Sequence, residues 1–99
     1  MGYLRMSIAK WSIDLDSAAA IQIFRKISTD GIRVFREQPG FVRYRLMKVD
    51  RHTTIAVAEW ETEELGRKGA ENYRQWMRGS GVWDKIVLTT YAGEIVAAS

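Results

Sequence analysis

The chain has no cysteine, a single histidine and a single proline. Without cysteine there is no disulfide framework, no thiolate metal site and no cysteine nucleophile. With His52 as the only histidine, a multi-histidine metal or haem site within one chain is excluded, and no metal is expected. No apolar run approaches membrane-spanning length. The opening MGYLRMSIAKW also lacks the apolar core of a signal peptide. The expectation is a soluble, cytoplasmic protein with no membrane partner. Charge of one sign is not concentrated anywhere. Fifteen Lys and Arg are scattered among twelve Asp and Glu, for a formal charge of +3, which describes an ordinary solvated surface rather than a phosphate-binding stripe. Gly79-Ser80-Gly81 lacks the lysine and helix that would follow a phosphate-binding loop. No flavin or nicotinamide fingerprint is present, so no cofactor is expected.

What the chain does contain is strong patterning. Its 99 residues, 46% hydrophobic, form a single domain over 1–99. A domain this small buries a modest fraction of its surface, so a partner subunit would help it. Leu4–Trp11 alternates as a strand, with Leu4, Met6 and Ile8 on a strongly apolar face and Tyr3, Arg5, Ser7 and Ala9 on the other. Asp16 or Ser17 can cap a helix whose buried face carries Ala20, Phe24, Ile27, Gly31 and Val34 and which ends near Glu37. Gly31 inside it points to close packing. Pro39-Gly40 turns the chain. Phe41–Val49 and Thr53–Trp60 read as strands around the polar turn Asp50–His52. Thr62 caps a second helix, with Glu63 and Glu64 in its first turn, where the dipole favours acids. Leu65, Gly69, Tyr73 and Trp76/Met77 mark its buried side, and Gly79-Ser80-Gly81 ends it. Val82 and Trp83 anchor a short loop or turn. Lys85–Ala97 is a last strand, with Gly93 as a bulge candidate.

The order β-α-β-β-α-β is ferredoxin-like α+β: a four-stranded antiparallel sheet with helices on one face and the other face open. On the second strand Val42, Tyr44 and Leu46 are expected to meet the helices, leaving Phe41, Arg43, Arg45 and Met47 on the open side. On the third strand Ile55 and Val57 suit the helix side, with Thr54, Ala56, Ala58 and Trp60 on the open side. That open face fits a dimer interface, a ligand pocket enclosed by a dimer, or a nucleic-acid platform. Against the last, the aromatic stretch GFVRY lies on the second strand, whereas RNA-recognition modules of this topology carry theirs on the third. Phe41 and Tyr44, three apart, should also face opposite ways. No nucleic-acid partner is expected.

Three features together resemble the antibiotic-biosynthesis-monooxygenase-like domains, small dimeric α+β barrels. They are PGF after the first helix, WETEE opening the second, and the spacing from Trp60 to Tyr73 to Trp76. The resemblance covers nearly the whole chain. It implies a homodimer in which two sheets pack through their open faces, with a pocket between each sheet and its helix-side loops. The arginine-bearing face would then line the barrel and its dimer contact. Members include haem-degrading enzymes and cofactor-free oxygenases of aromatic polyketide intermediates. The haem-degrading type has an Asn on its first strand, which is absent here, and a helix Trp and His whose positions fall near Gly69 and Gly79. The polyketide type has a tryptophan matching Trp60, but its Asn, Tyr and His fall at Ala56, Gly66 and Met47.

The activity so implied is a cofactor-independent monooxygenase acting on a small hydroxylated aromatic or quinone-type compound. The alternative is a non-catalytic dimeric module that binds a small ligand or stabilises an assembly. Cofactor-free oxygenation needs a dry pocket, orientation and positive charge near the developing oxyanion. Trp60, Tyr91 and Tyr73 are the candidate catalytic residues: Trp60 as pocket wall or N–H donor, the tyrosines as proton donors. Arg43, Arg45, Phe41, Met47 and Trp76 are the candidate substrate-binding residues, the arginines supplying charge. The structural alternatives are a pairing of the arginines with Glu59 or Glu94, and core packing for Trp60, Tyr73 and Trp76. His52 is either a base or a solvated turn residue, and Asn72 reads as surface.

Overall fold

The computed structural model describes residues 2–99. The chain runs β1 (Tyr3–Trp11), α1 (Ala18–Lys26), a π-helical segment (Ile27–Gly31), α2 (Ile32–Arg36), β2 (Phe41–Asp50), β3 (Thr53–Trp60), α3 (Glu63–Ser80), a single 3₁₀ turn (Trp83–Lys85) and β4 (Ile86–Glu94). The strands form one antiparallel sheet in the order β2-β3-β1-β4. This is the expected ferredoxin-like arrangement.

The helix ends follow from local chemistry. Ser17 Oγ accepts from the Ala20 N–H at 3.2 Å, and Thr62 Oγ1 accepts from the Leu65 N–H at 3.2 Å, each satisfying a free donor of a first turn. Asp16 does not cap. Its carboxylate pairs with Lys48 and Arg51 across the β2–β3 end of the sheet, and the Lys48 contact holds it below the usual carboxylate range. Gly81, at φ +83, supplies the left-handed turn that closes α3. The first helix is not uniform. Its π-helical turn brings Gly31 against α3, where an added Cβ would lie 3.0 Å from the Trp76 ring, the close packing expected there.

Strand pairing decides what each face carries. Arg45, Val57, Met6 and Tyr91 stand side by side across the sheet, as do Met47, Ile55, Ile8 and Thr89. Cross-strand partners share a face, so the apolar set of β1 lies with Ile55 and Val57 on the face away from the helices. The expected orientation of β3 is therefore reversed: Thr54, Ala56, Ala58 and Trp60 face the helices. Hydropathy misleads here because the bulky aliphatic side chains of β1 and β3 (Leu4, Met6, Ile8, Ile55 and Val57) sit on the face that the helices of this chain do not cover. Met47, Val49, Val87 and Tyr91 are more than half exposed on that side.

A β-bulge between Phe41 and Arg43 corrects two more expectations. The extra residue, Val42, is turned outward and exposed. Phe41 pairs with Trp60 and joins the helix side, so Phe41 and Tyr44 both face the helices. Gly93 is no bulge, since it pairs in register with Leu4. β4 stops at Glu94, although the Ile95 N–H still donates to the Gly2 carbonyl.

Two buried clusters lie between sheet and helices. One contains Ala9, Trp11, Leu15, Ala20, Ile27 and Val82, and in it Trp11 Nε1 donates to Thr54 Oγ1 at 2.9 Å. The other contains Tyr3, Phe35, Ala58, Trp60 and Tyr73 and is organised around Phe35. That ring stacks on Tyr73 at 4.0 Å between centroids, on Tyr44 at 4.6 Å and on Phe41 at 5.6 Å.

Candidate functional site

Where the two clusters meet, the packing leaves a cavity of about 90 Å³ between the sheet and α3. It exists because β1 and β3 present small side chains there (Ser7, Ala9, Ala56 and Ala58), while the aromatics stand back around it. Its aromatic lining is Trp11, Phe35, Tyr44, Trp60 and Tyr73, with Trp60 toward the Tyr3 end of β1 and Trp11 at the other. Toward the β4 side its lining becomes progressively exposed, through Arg5, Ser7, Ala70 and Arg74 to Thr90, which locates the mouth. There the Ser7 and Thr90 hydroxyls lie 3.2 Å apart.

Trp60 is fully buried in the cavity wall, and its Nε1 has no hydrogen-bond partner among the described residues. An unmet buried donor is costly, by about 1–3 kcal/mol, and native interiors rarely keep one. Two glycines of α3 make room for the indole. An added Cβ at Gly69 would come within 2.1 Å of its ring and one at Gly66 within 3.1 Å. The residue types at 66 and 69 are thus set by where Trp60 lies.

Tyr44 and Tyr73 lie side by side, with centroids 6.1 Å apart. Burial pushes the Tyr44 phenol up to about 12, partly opposed by the neighbouring Tyr73 hydroxyl. Burial also raises Tyr73, and the adjacent Tyr44 reinforces the effect. Both remain protonated near neutrality and can donate a proton or hydrogen bond, but neither is a base. Among the described residues, no Asp, Glu or His lines the cavity.

The charges at the mouth are arginines other than those expected. Arg74 Nη1 donates to Glu71 Oε2 at 2.5 Å. Arg5, half-buried on the central strand β1, makes no ion pair and no side-chain hydrogen bond among the described residues. Its cross-strand partners are Ala58 and Ala92.

Of the residues singled out from sequence, Trp60 and Tyr73 meet at the cavity. Phe41 and Trp76 pack behind its wall, Phe41 edge-on to Trp60 at 5.6 Å and Trp76 beside Tyr73 at 5.4 Å. Arg43, Arg45, Met47 and Tyr91 do not reach it. They stand on the opposite side of the sheet, with Arg43 Nε 3.5 Å from Glu59 Oε1, the structural alternative named for it, and Arg45 bonded to the carbonyl of its neighbour Tyr44. The positive charge expected from this pair comes instead from Arg5 and Arg74. Arg5 was legible only as a member of the less apolar face of β1. His52 lies on the exposed turn, its Nδ1 3.1 Å from the Ile13 carbonyl. Asn72 is exposed and donates to Gln38 Oε1 at 2.7 Å.

No family model matches the sequence, and neither does any curated protein. Solved structures do match in fold. SnoaB, a cofactor-independent oxygenase from Streptomyces nogalater, superposes with a TM-score of 0.75 at 12% identity over 98% of this chain and 95% of its own. A dimeric ferredoxin-like protein from an uncultured marine organism gives 0.74 at 11% identity over 99% and 98%. An MhuD variant crystallised with two manganese protoporphyrin IX molecules per active site gives 0.72 at 13% identity over 98% and 97%. The chain shares the ferredoxin-like fold of these structures. A metalloporphyrin does not suit this cavity: the free space is far smaller than a tetrapyrrole, and the one imidazole of the chain is outside it.

Proposed function

We propose that the chain is a cofactor-independent monooxygenase acting on a small hydroxylated aromatic, of hydroquinone size, in the cavity between sheet and α3. The observation that carries this reading is the unmet N–H of Trp60 in a wall otherwise built of aromatic and small apolar groups. A substrate oxygen is the acceptor it lacks. The volume admits roughly six to nine water-sized atoms, enough for one ring with substituents toward the mouth.

A hydroquinone monoanion supplies its own electrons. It passes one to O₂, and the radical pair combines to a ring hydroperoxide. Loss of water, with O–O cleavage and departure of the ring proton, leaves a new carbonyl. One hydroquinone and one O₂ thus give one hydroxyquinone and one water. Trp60 would hold the anionic oxygen, Tyr73 would protonate the peroxide, and the dry wall would exclude side reactions. We also propose that two copies associate through the open face bearing Met6, Val57 and Tyr91.

The missing cavity base favours a second reading, a non-catalytic ligand-binding dimer, with Ala56 and Gly66 standing where related oxygenases carry polar groups. Oxygen uptake without added cofactor, over hydroquinones, naphthols and anthrones, separates the two. Uptake above the spontaneous rate that falls at least about tenfold in Trp60→Phe, which keeps a ring and loses the donor, supports the oxygenase. Binding without uptake across the panel supports the module.

A further inference from the structure

We infer that the ligand of this cavity carries one fixed anionic group, a carboxylate, which docks on Arg5 at the mouth while the ring enters toward Trp60. The inference rests on the proposed aromatic occupancy of the cavity and names its class: a hydroxybenzoate-type acid.

The charge count at the mouth carries it. Two guanidiniums border the opening, Arg5 and Arg74. Arg74 is already met by Glu71 on its own helix, 2.5 Å away. Arg5 is met by nothing among the described residues. Half-burial on a central strand makes that unusual, because a guanidinium carries five donors and planar geometry suited to a carboxylate. The groups around it are unable to serve. On β3 it faces Ala58, on β4 Ala92, and along β1 the same face carries Tyr3 and Ser7. From α3, Ala70 and the occupied Arg74 complete the rim. Glu59, next to Ala58, lies on the opposite face and pairs with Arg43. On the face of Arg5 the nearest acid by register is Glu94, opposite Tyr3 and diagonal to Arg5, which is exposed and forms no ion pair with Arg5 among the described residues. The rim therefore has one uncompensated positive charge, beside the Ser7 and Thr90 hydroxyls as further donors. Position matters as well. Arg5 pairs with Ala58, and Trp60 is the next residue of β3 on the same face. A ring oxygen at Trp60 therefore leaves an adjacent substituent within reach of Arg5, and the anion that Arg5 takes is that substituent and not the reacting oxygen.

Gentisate and hydroquinone form a matched pair, identical but for one carboxylate. Binding of each is read by quenching of the intrinsic tryptophan fluorescence, since Trp11 and Trp60 line the cavity. Gentisate is expected to bind at least about tenfold more tightly than hydroquinone, in line with a charge-assisted pair, and its advantage should shrink as salt is raised. Arg5→Gln should reduce the two affinities to within about twofold of each other by weakening gentisate alone. Arg5→Lys should restore part of the difference, and Glu94→Gln should leave gentisate binding no weaker. Equal affinities in the unaltered protein, or binding of neither compound, overturn the inference without any variant having to fold. So does Arg5→Gln weakening both ligands alike, the result of a purely structural role. Because binding is read without turnover, a protein that discriminates the pair but consumes no oxygen would refute the oxygenase reading and leave this one standing.

Discussion

The indole of Trp60 lies directly on the bare α-carbon of Gly69, so closely that a Cβ there would fall 2.1 Å from Cη2 and 2.4 Å from Cζ3. No rotamer change of a flexible tip relieves such a clash, because the obstructing atoms belong to a rigid ring packed against Phe35 and Phe41. Gly69→Ala should destabilise the domain by about 1–3 kcal/mol, the usual range for overpacking, and should disturb the cavity with it. Gly79 is the internal control: nothing lies within 4 Å of its would-be Cβ. Gly79→Ala should be neutral or stabilise by up to about 1 kcal/mol through helix propensity. Denaturant midpoints of the two variants test the contrast, and equal shifts would refute the packing account.

The paired phenols make stability sensitive to alkali. The Tyr44 phenol ionises near pH 10 in an unfolded chain and near 12 in the fold, and Tyr73 is raised too. A folded value above the unfolded one means that the contribution is fully present below pH 10. It is lost as pH rises toward 12, where the unfolded chain gives up its proton first. Tyr44→Phe should therefore flatten the decline between pH 10 and 12, by on the order of 2 kcal/mol at its upper end. Urea titrations of both proteins at pH 8, 10 and 11.5 would show it, and parallel declines would count against the burial argument.

If the cavity oxygenates its ligand, the pH dependence of that reaction belongs to the substrate. Among the described residues no carboxylate or imidazole lines the site, and its phenols stay protonated near neutrality. The rate should rise along the ionisation curve of whichever hydroquinone is supplied, moving with substrate pKa across a substituted series. An inflection that stays at one pH for every substrate would reveal a protein base missing from this account.

Much of this was legible in the sequence and some was not. Periodicity placed β1, β2, β3, the first helix and α3, and local chemistry narrowed the helix caps to Asp16 or Ser17 and to Thr62, because helix and strand repeats differ and capping is local. Trp60 was recognisable as the residue opening the WETEE run. The facing of β3 was not recognisable. Ile55 and Val57 read as core in any hydropathy scale, and only pairing with Met6 and Ile8 shows that a second apolar face exists. The Val42 bulge was invisible for a similar reason, since it is a property of two strands together. That error misplaced Phe41, and the reversed face drew attention to Arg43 and Arg45 rather than Arg5.

Association through the open face is open to a direct test. Met6 stands at its middle, between Val57 and Tyr91, and Met6→Arg would set a second positive charge, without a partner, in the row that already carries Arg45, a cost of several kcal/mol. The unaltered chain should sediment as a dimer and Met6→Arg as a monomer. A variant that remains dimeric would mean that the copies meet elsewhere.

The alternation within β1 has a consequence for how the protein can change. Leu4, Met6 and Ile8 look one way and Tyr3, Arg5, Ser7, Ala9 and Trp11 the other, so position parity assigns each residue to one of two separate faces, and under the proposed assembly and ligand to one of two separate tasks. A library of substitutions along this strand should give a two-residue rhythm, in which even sites alter assembly and odd sites alter what the cavity accepts. One strand thereby offers two traits that selection can adjust independently, because a sheet only one residue thick keeps them apart.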